Sequence, residues 1–116
     1  MFDLPYKIFM KIYKRRKNPL PVMVNFVKSH DKYSGYTFYN ESKNNYQVMI
    51  VLGDTPFEVV CETLIHEFAH ILAYPTNGHG KKFKKYFKKM GMEFSKKILE
   101  QYNIGELITV LWPIKE

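Results

Sequence analysis

Apolar residues recur at three- and four-residue intervals in several stretches of the chain and cluster in short runs in three others. The first helical pattern covers residues 3–17, with Asp3 as a cap and Leu4, Ile8, Phe9, Ile12 and Tyr13 as its apolar stripe. Asn18-Pro19-Leu20-Pro21 breaks it, because proline cannot continue the helical ladder. Three runs at Val22–Val27, Gly35–Asn40 and residues 46–52 are rich in β-branched and aromatic side chains, and they predict strands of a small antiparallel or mixed sheet. The next pattern predicts a buried helix. Phe57, Val60, Cys61, Leu64, Ile65, Phe68, Ile71 and Leu72 share its spacing. Thr55 as N-cap, Pro56 at the first helical position and Glu58 in a Thr-x-x-Glu capping box mark its start, and Tyr74-Pro75 its end. Phe83, Phe87 and Met90 predict a further helix ended by Gly91, and Phe94, Ile98, Leu99 and Tyr102 a short one capped by Ser95. Ile104, Leu107, Ile108, Leu111 and Trp112 also fit helical spacing, although Ile108-Thr109-Val110 has strand character and Pro113 stops either; Trp112 is expected to anchor packing.

These elements suit one α+β domain over residues 1–116: a three-stranded sheet packed on the buried helix, with additional helices around it. A hydrophobic content of 46% with six glycines and six prolines is that of a globular chain. No window approaches the run of about 18 apolar residues that would cross a bilayer. Lys7, Lys11 and the lysines and arginines of 14–17 interrupt the apolar positions that a signal peptide would need. A single cysteine allows no intrachain disulfide and no cysteine zinc site. The expected setting is therefore cytoplasmic, or nuclear in a eukaryote, and not secreted; the chain is expected to be monomeric and free of membranes. Cys61, on the apolar stripe, is expected in the core.

Chemistry concentrates at the end of the buried helix, in His66-Glu67-Phe68-Ala69-His70. Residues four apart lie on one helical face, so His66 and His70 can address one metal ion with Glu67 beside them. Neutral imidazoles suit Zn²⁺, three protein ligands leave a fourth position open, and a neighbouring carboxylate can take a proton from water. This is the H-E-x-x-H arrangement of zinc peptidases. The glycines of Asn77-Gly78-His79-Gly80 allow a sharp return that would bring His79 back as the third ligand. A metzincin-type continuation is excluded by Ala73 and Thr76, which stand where it needs other residues. Glu93 is the acidic residue at a distance comparable to a thermolysin-like ligand, but it follows Gly91, and His30 lies in the polar loop Lys28-Ser29-His30-Asp31-Lys32 and is expected to be solvated.

The run His66-Glu67-x-x-His70, then His79-Gly80-x-x-Phe83, an amphipathic segment and Met90-Gly91 resembles the catalytic core of the SprT-like (Spartan-like) zinc metallopeptidases over roughly residues 33–92. The discriminating part is the His-Gly pair with an aromatic residue three positions on, since H-E-x-x-H alone is shared by many zincins. The resemblance implies a zincin-like fold, one Zn²⁺ per chain held by His66, His70 and His79, and Glu67 as catalytic base. It also implies endopeptidase action on proteins bound or crosslinked to DNA, with DNA as activator. Many members append a cysteine zinc ribbon, and these residues contain none.

Charge adds a partner. The chain carries a net +7, with one basic run at Lys14, Arg15, Arg16 and Lys17 and another at Lys81, Lys82, Lys84, Lys85, Lys88 and Lys89, directly after the third histidine. A solvated helix face would account for the second run alone, but its place beside the histidines would couple a bound polyanion to cleavage. Such contact is expected to be non-sequence-specific, because lysine supplies charge with little base discrimination. The alternative function is a small basic nucleic-acid-binding module with a structural zinc and no proteolytic activity. That reading needs a fourth protein ligand, for which Cys61, Glu93 or His30 would have to serve. A substrate strand is expected along an edge of the sheet, at Gly35–Asn40 or at residues 46–52. For the oxyanion, Tyr36 and Tyr74 are the candidate donors.

Overall fold

A computed structural model describes residues 3–30, 32–74 and 78–102. Along the chain it has α1 (Asp3–Tyr13), β1 (Val22–Val27), β2 (Gly35–Asn40), β3 (Asn45–Val51), α2 (Phe57–Ala73) and α3 (Lys81–Tyr102). The architecture is α+β, a three-stranded mixed sheet against three helices. Helix α2 is the centre: it packs on β2 and β3 on one side and on α1 and α3 on others. Its sequence explains this position, since burial reaches almost all round its second half, from Leu64 to Ala73 with His66 and His70 as the half-buried exceptions.

The strand order is β1-β3-β2, with β3 parallel to β1 and antiparallel to β2. The register places three rows on the face turned to the helices: Val22, Tyr46 and Tyr39; Val24, Val48 and Thr37; and Phe26, Ile50 and Gly35. Val48 and Ile50 are fully buried on that face. Gly35 brings strand and helix close, because a Cβ there would lie 3.0 Å from Thr63 Cγ2 and 3.1 Å from the Met49 carbonyl oxygen. Thr37, two residues on and on the same face, is thereby carried up to α2. Since β3 is the middle strand, its main chain is engaged on both sides and only β2 remains as the edge beside α2.

On the opposite flank Phe9 of α1 stacks on Phe68 of α2 at 4.4 Å and 10°, and on Tyr13 at 4.9 Å. Helix α1 stops at Tyr13, short of the expected residue 17. Arg15 and Arg16 donate their main-chain N–H groups three residues back, to Ile12 and Tyr13, tightening the chain into turns, and Asn18 has a φ of 54° ahead of Pro19. The turn delivers Arg16 to the end of α2, where its guanidinium donates to the carbonyls of Ile71 (3.4 Å) and Leu72. The Ile71 carbonyl also accepts from the main-chain N–H of Tyr74 at 3.2 Å, and together with that cap Arg16 closes the helix that carries the histidines.

Four further expectations at helix ends are corrected. Pro56, with φ −59° and ψ 151°, is the N-cap of α2, and no side chain caps the helix. Its carbonyl accepts from Val59 and Val60 while Thr55 turns back to Leu52, so the Thr55–Glu58 capping box does not form. Gly91 does not end α3, which continues to Tyr102 with Ser95 buried inside it and not at a cap. Burying Met90, Phe94 and Ile98 outweighs the cost of about 1 kcal/mol for a glycine within a helix. Strand β3 begins one residue early, at Asn45. The pattern read at 104–112, including Trp112, lies outside the described residues. None of the described helices is long and apolar enough to cross a membrane.

Replacing Arg16 by alanine leaves the Ile71 and Leu72 carbonyls without this donor and is expected to lower unfolding free energy by about 1–3 kcal/mol. Urea denaturation monitored by circular dichroism reads the loss.

Candidate active site

Helix α2 presents His66 and His70 one turn apart, and the turn after it returns His79 to them. Gly78 sits at φ +77°, a conformation open to glycine, immediately before His79. The three rings gather with centroids 5.0 Å apart for His66 and His70, 4.9 Å for His66 and His79, and 5.1 Å for His70 and His79. One ring nitrogen from each lies within 4.8 Å of the others, close enough to converge on a single ion. Gly80 then opens α3, its carbonyl accepting from the Lys84 N–H at 3.0 Å.

The floor of the cluster is Phe83. Its ring lies 4.9 Å from His66, 4.5 Å from His70 and 4.7 Å from His79, and Phe87 stacks behind it at 5.6 Å. The spacing His-Gly-x-x-Phe therefore has a physical meaning: the histidine closes the site and the aromatic ring, one turn into α3, supports all three imidazoles. Burial on this floor pushes His66 down to about 4, with His70 and His79 adding to the effect, and burial likewise lowers His70. Near neutral pH His66 thus carries a free lone pair, the form in which imidazole binds a metal. Three imidazole nitrogen donors on an apolar floor fit Zn²⁺ in chemistry and in number.

Glu67 is buried to 6% exposure, yet its carboxylate is not isolated. Oε1 accepts a hydrogen bond from Thr37 Oγ1 at 2.7 Å. Burial raises the Glu67 carboxyl above the usual carboxylate range, while the Thr37 bond draws it back. Thr37 is a residue that sequence reasoning missed. Its only signals were two residues of separation from a glycine and a place on the inward face of an edge strand. The histidines and Glu67 line a hollow of about 590 Å³ whose other walls come from β2 and from Tyr46, Ile71 and Tyr74. Both candidate oxyanion donors, Tyr36 and Tyr74, line it too.

The residues considered as a fourth ligand lie elsewhere. Glu93 does stand within a helix, contrary to expectation, but its Oε2 pairs with Lys11 Nζ at 2.8 Å. Cys61 is wholly buried among apolar side chains, and its thiol is pushed up to about 12, chiefly by burial. His30 is exposed and accepts from the main-chain N–H groups of Lys32 and Tyr33 through Nδ1. Of the basic residues, Lys81, Lys82, Lys84, Lys85, Lys88 and Lys89 are all exposed on the face of α3 opposite Phe83 and Met90, as are Lys14, Arg15 and Lys17 after α1. Arg16 alone of these is tied into the fold, by the α2 carbonyls.

His79 is exposed, so His79→Ala is expected to change the stability of the metal-free chain by no more than about 0.5 kcal/mol. Its expected effect on Zn²⁺ is large. The unmodified chain is expected to bind one ion and to melt higher with zinc than after chelation, by an amount set by RT ln(1 + [Zn²⁺]/Kd), and the variant to lose that increment at the same zinc concentration. Thermal melts with zinc and with chelator check both statements.

No curated protein sequence matches the chain. Among solved structures, the metallopeptidase zymogen of Pyrococcus abyssi, abylysin, is similar to it with a TM-score of 0.57 and 18% identity, covering 87% of this chain and 94% of that one. At that identity the likeness speaks for the fold, which is zincin-like. The profile of the SprT-like family matches residues 5–105, through the strands, the histidine trio and α3, and the chain belongs to that family.

Proposed function

We propose that this chain is a zinc-dependent endopeptidase in which His66, His70 and His79 hold the ion and Glu67 is the general base. The observation that carries the reading is the convergence of three imidazole nitrogens within 4.8 Å of one another beside a buried, hydrogen-bonded glutamate, with no fourth protein ligand in the cluster among the described residues. A structural zinc would call for a closed set of four. When bound, Zn²⁺ supplies Lewis acidity to a carbonyl and acidity to water. The chain's own residues do the rest. Thr37 occupies Oε1 of Glu67, leaving Oε2 to take the proton of the attacking water and to return it to the departing amine. The substrate lies along β2, the edge strand beside the site, as an added strand held through main-chain hydrogen bonds. Tyr36 or Tyr74 would be the hydroxyl available to the oxyanion.

The polyanion side of the reading rests on α3. Its exposed lysines follow directly on His79, and the single ion pair among the described residues, Lys11 with Glu93, involves none of them. Six ammonium groups with no ion pair among the described residues, spread along about two turns, form a stripe that suits a nucleic-acid backbone. Protein substrates held on DNA would then be presented to the cleft, and contact through charge makes the binding indifferent to sequence.

Cleavage of a basic DNA-binding protein by the zinc-loaded chain, with and without single-stranded DNA, tests the first claim: it should vanish in Glu67→Gln while zinc content and melting behaviour persist. Thr37→Val should lower turnover by about tenfold or more, with Thr37→Ser largely restoring it, because one hydrogen bond to a charged group is removed and then regained. For the second claim, the triple replacement Lys84→Gln, Lys85→Gln and Lys88→Gln should weaken binding of a single-stranded oligonucleotide. It should also flatten the dependence of log K on log salt by about 0.7 for each phosphate that is no longer neutralised, as read by fluorescence anisotropy.

A further inference from the structure

The cleft does not end at the histidines. A second hollow, of about 290 Å³, meets the first at Tyr33, Gly35, His66 and Glu67 and continues past the start of β2, lined there by Lys32, Ser34, Glu62 and Thr63. Glu62 stands one helical turn before His66, on the same face of α2 as His66 and His70. Its carboxyl is half-buried and has neither a hydrogen bond nor an ion pair among the described residues. Thr63 beside it offers no donor, because its hydroxyl donates to the Val59 carbonyl at 2.9 Å. Lys32, on the facing wall, is exposed and lies outside ion-pair distance.

We propose that Glu62 binds a cationic group of the substrate, an ammonium or guanidinium, in the hollow next to the scissile bond, and so sets a preference on one side of that bond. The inference rests on the peptidase reading above. An ionised carboxylate offers only acceptors, and one that is partly removed from water without a donor is costly until a cation meets it. Burial raises this carboxyl, which is the mark of that unmet cost. The geometry fixes where the cation sits. A peptide laid along β2 runs from Gly35, where the hollow of Glu62 opens, to Tyr39, where the walls are Tyr39, Tyr46 and Tyr74. The two ends of the cleft thus differ in kind, one acidic and partly polar, the other aromatic. Two sources fit the same chemistry: a lysine or arginine side chain within the substrate, or the free α-amino group of a substrate that begins there.

The test uses the zinc-loaded chain on β-casein as an unfolded probe, with cleavage sites read by mass spectrometry and Glu67→Gln as background. Peptides built around a mapped bond then carry Lys, Gln or Glu at each flanking position, with the N-terminus free or acetylated. At one flank Lys is expected to exceed Gln by about tenfold in kcat/KM, the ratio falling to about one in Glu62→Gln and turning toward Glu in Glu62→Lys. Using a ratio between two peptides separates specificity from any general loss of activity. A preference that survives acetylation assigns the cation to a side chain, and one confined to free N-termini assigns it to the α-amine. Glu67-dependent cleavage without flank preference, or with a preference unchanged in Glu62→Gln, overturns the proposal and leaves the peptidase reading standing. Absence of any Glu67-dependent cleavage removes both.

Discussion

The contact on which the site depends is that of the Phe83 ring with three imidazoles. Two of these belong to α2 and one to the turn that follows it, and only α3 holds all three against a common surface. An apolar floor does two things at once. It orients the rings by packing, and by excluding water it keeps His66 unprotonated and ready to accept a cation. The same helix that supplies the floor carries its lysines outward, on the face turned away from Phe83. One element thereby joins the histidine cluster to an electrostatic surface.

Around that contact the fold reads as support for α2. The sheet offers its inner face, Phe9 stacks on Phe68, and Arg16 closes the helix end by donating to the carbonyls of Ile71 and Leu72. Gly35 removes the one side chain that would hold the edge strand away, and Thr37 then reaches Glu67. Glu67 is thus held by the strand that lines the cleft, which ties the position of that strand to the position of the carboxylate.

Much of this was legible in the amino-acid pattern. Short runs of β-branched and aromatic residues bounded by turn residues define β1 and β2 without error, and the four-residue spacing of His66 and His70 sets both on one face because helical periodicity is a local property. What failed was local signals overruled by packing. Gly91 looks like a terminator in isolation, but the buried stripe from Phe83 to Ile98 carries the helix through it. Thr55 looks like a cap, but Pro56 takes the extended conformation that position needs. Thr37 and the central place of β3 depend on sheet register, which no periodicity encodes. Arg16 counted as one more basic residue until the turn after α1 directed it inward.

The most direct test of the account is anomalous diffraction at the zinc edge from crystals of the zinc-loaded chain. It predicts one ion bound by nitrogen atoms of His66, His70 and His79, with the remaining position facing the hollow beside Glu67 and filled by no protein atom. Zinc closed off by a fourth side chain, or bound away from the three histidines, would contradict it.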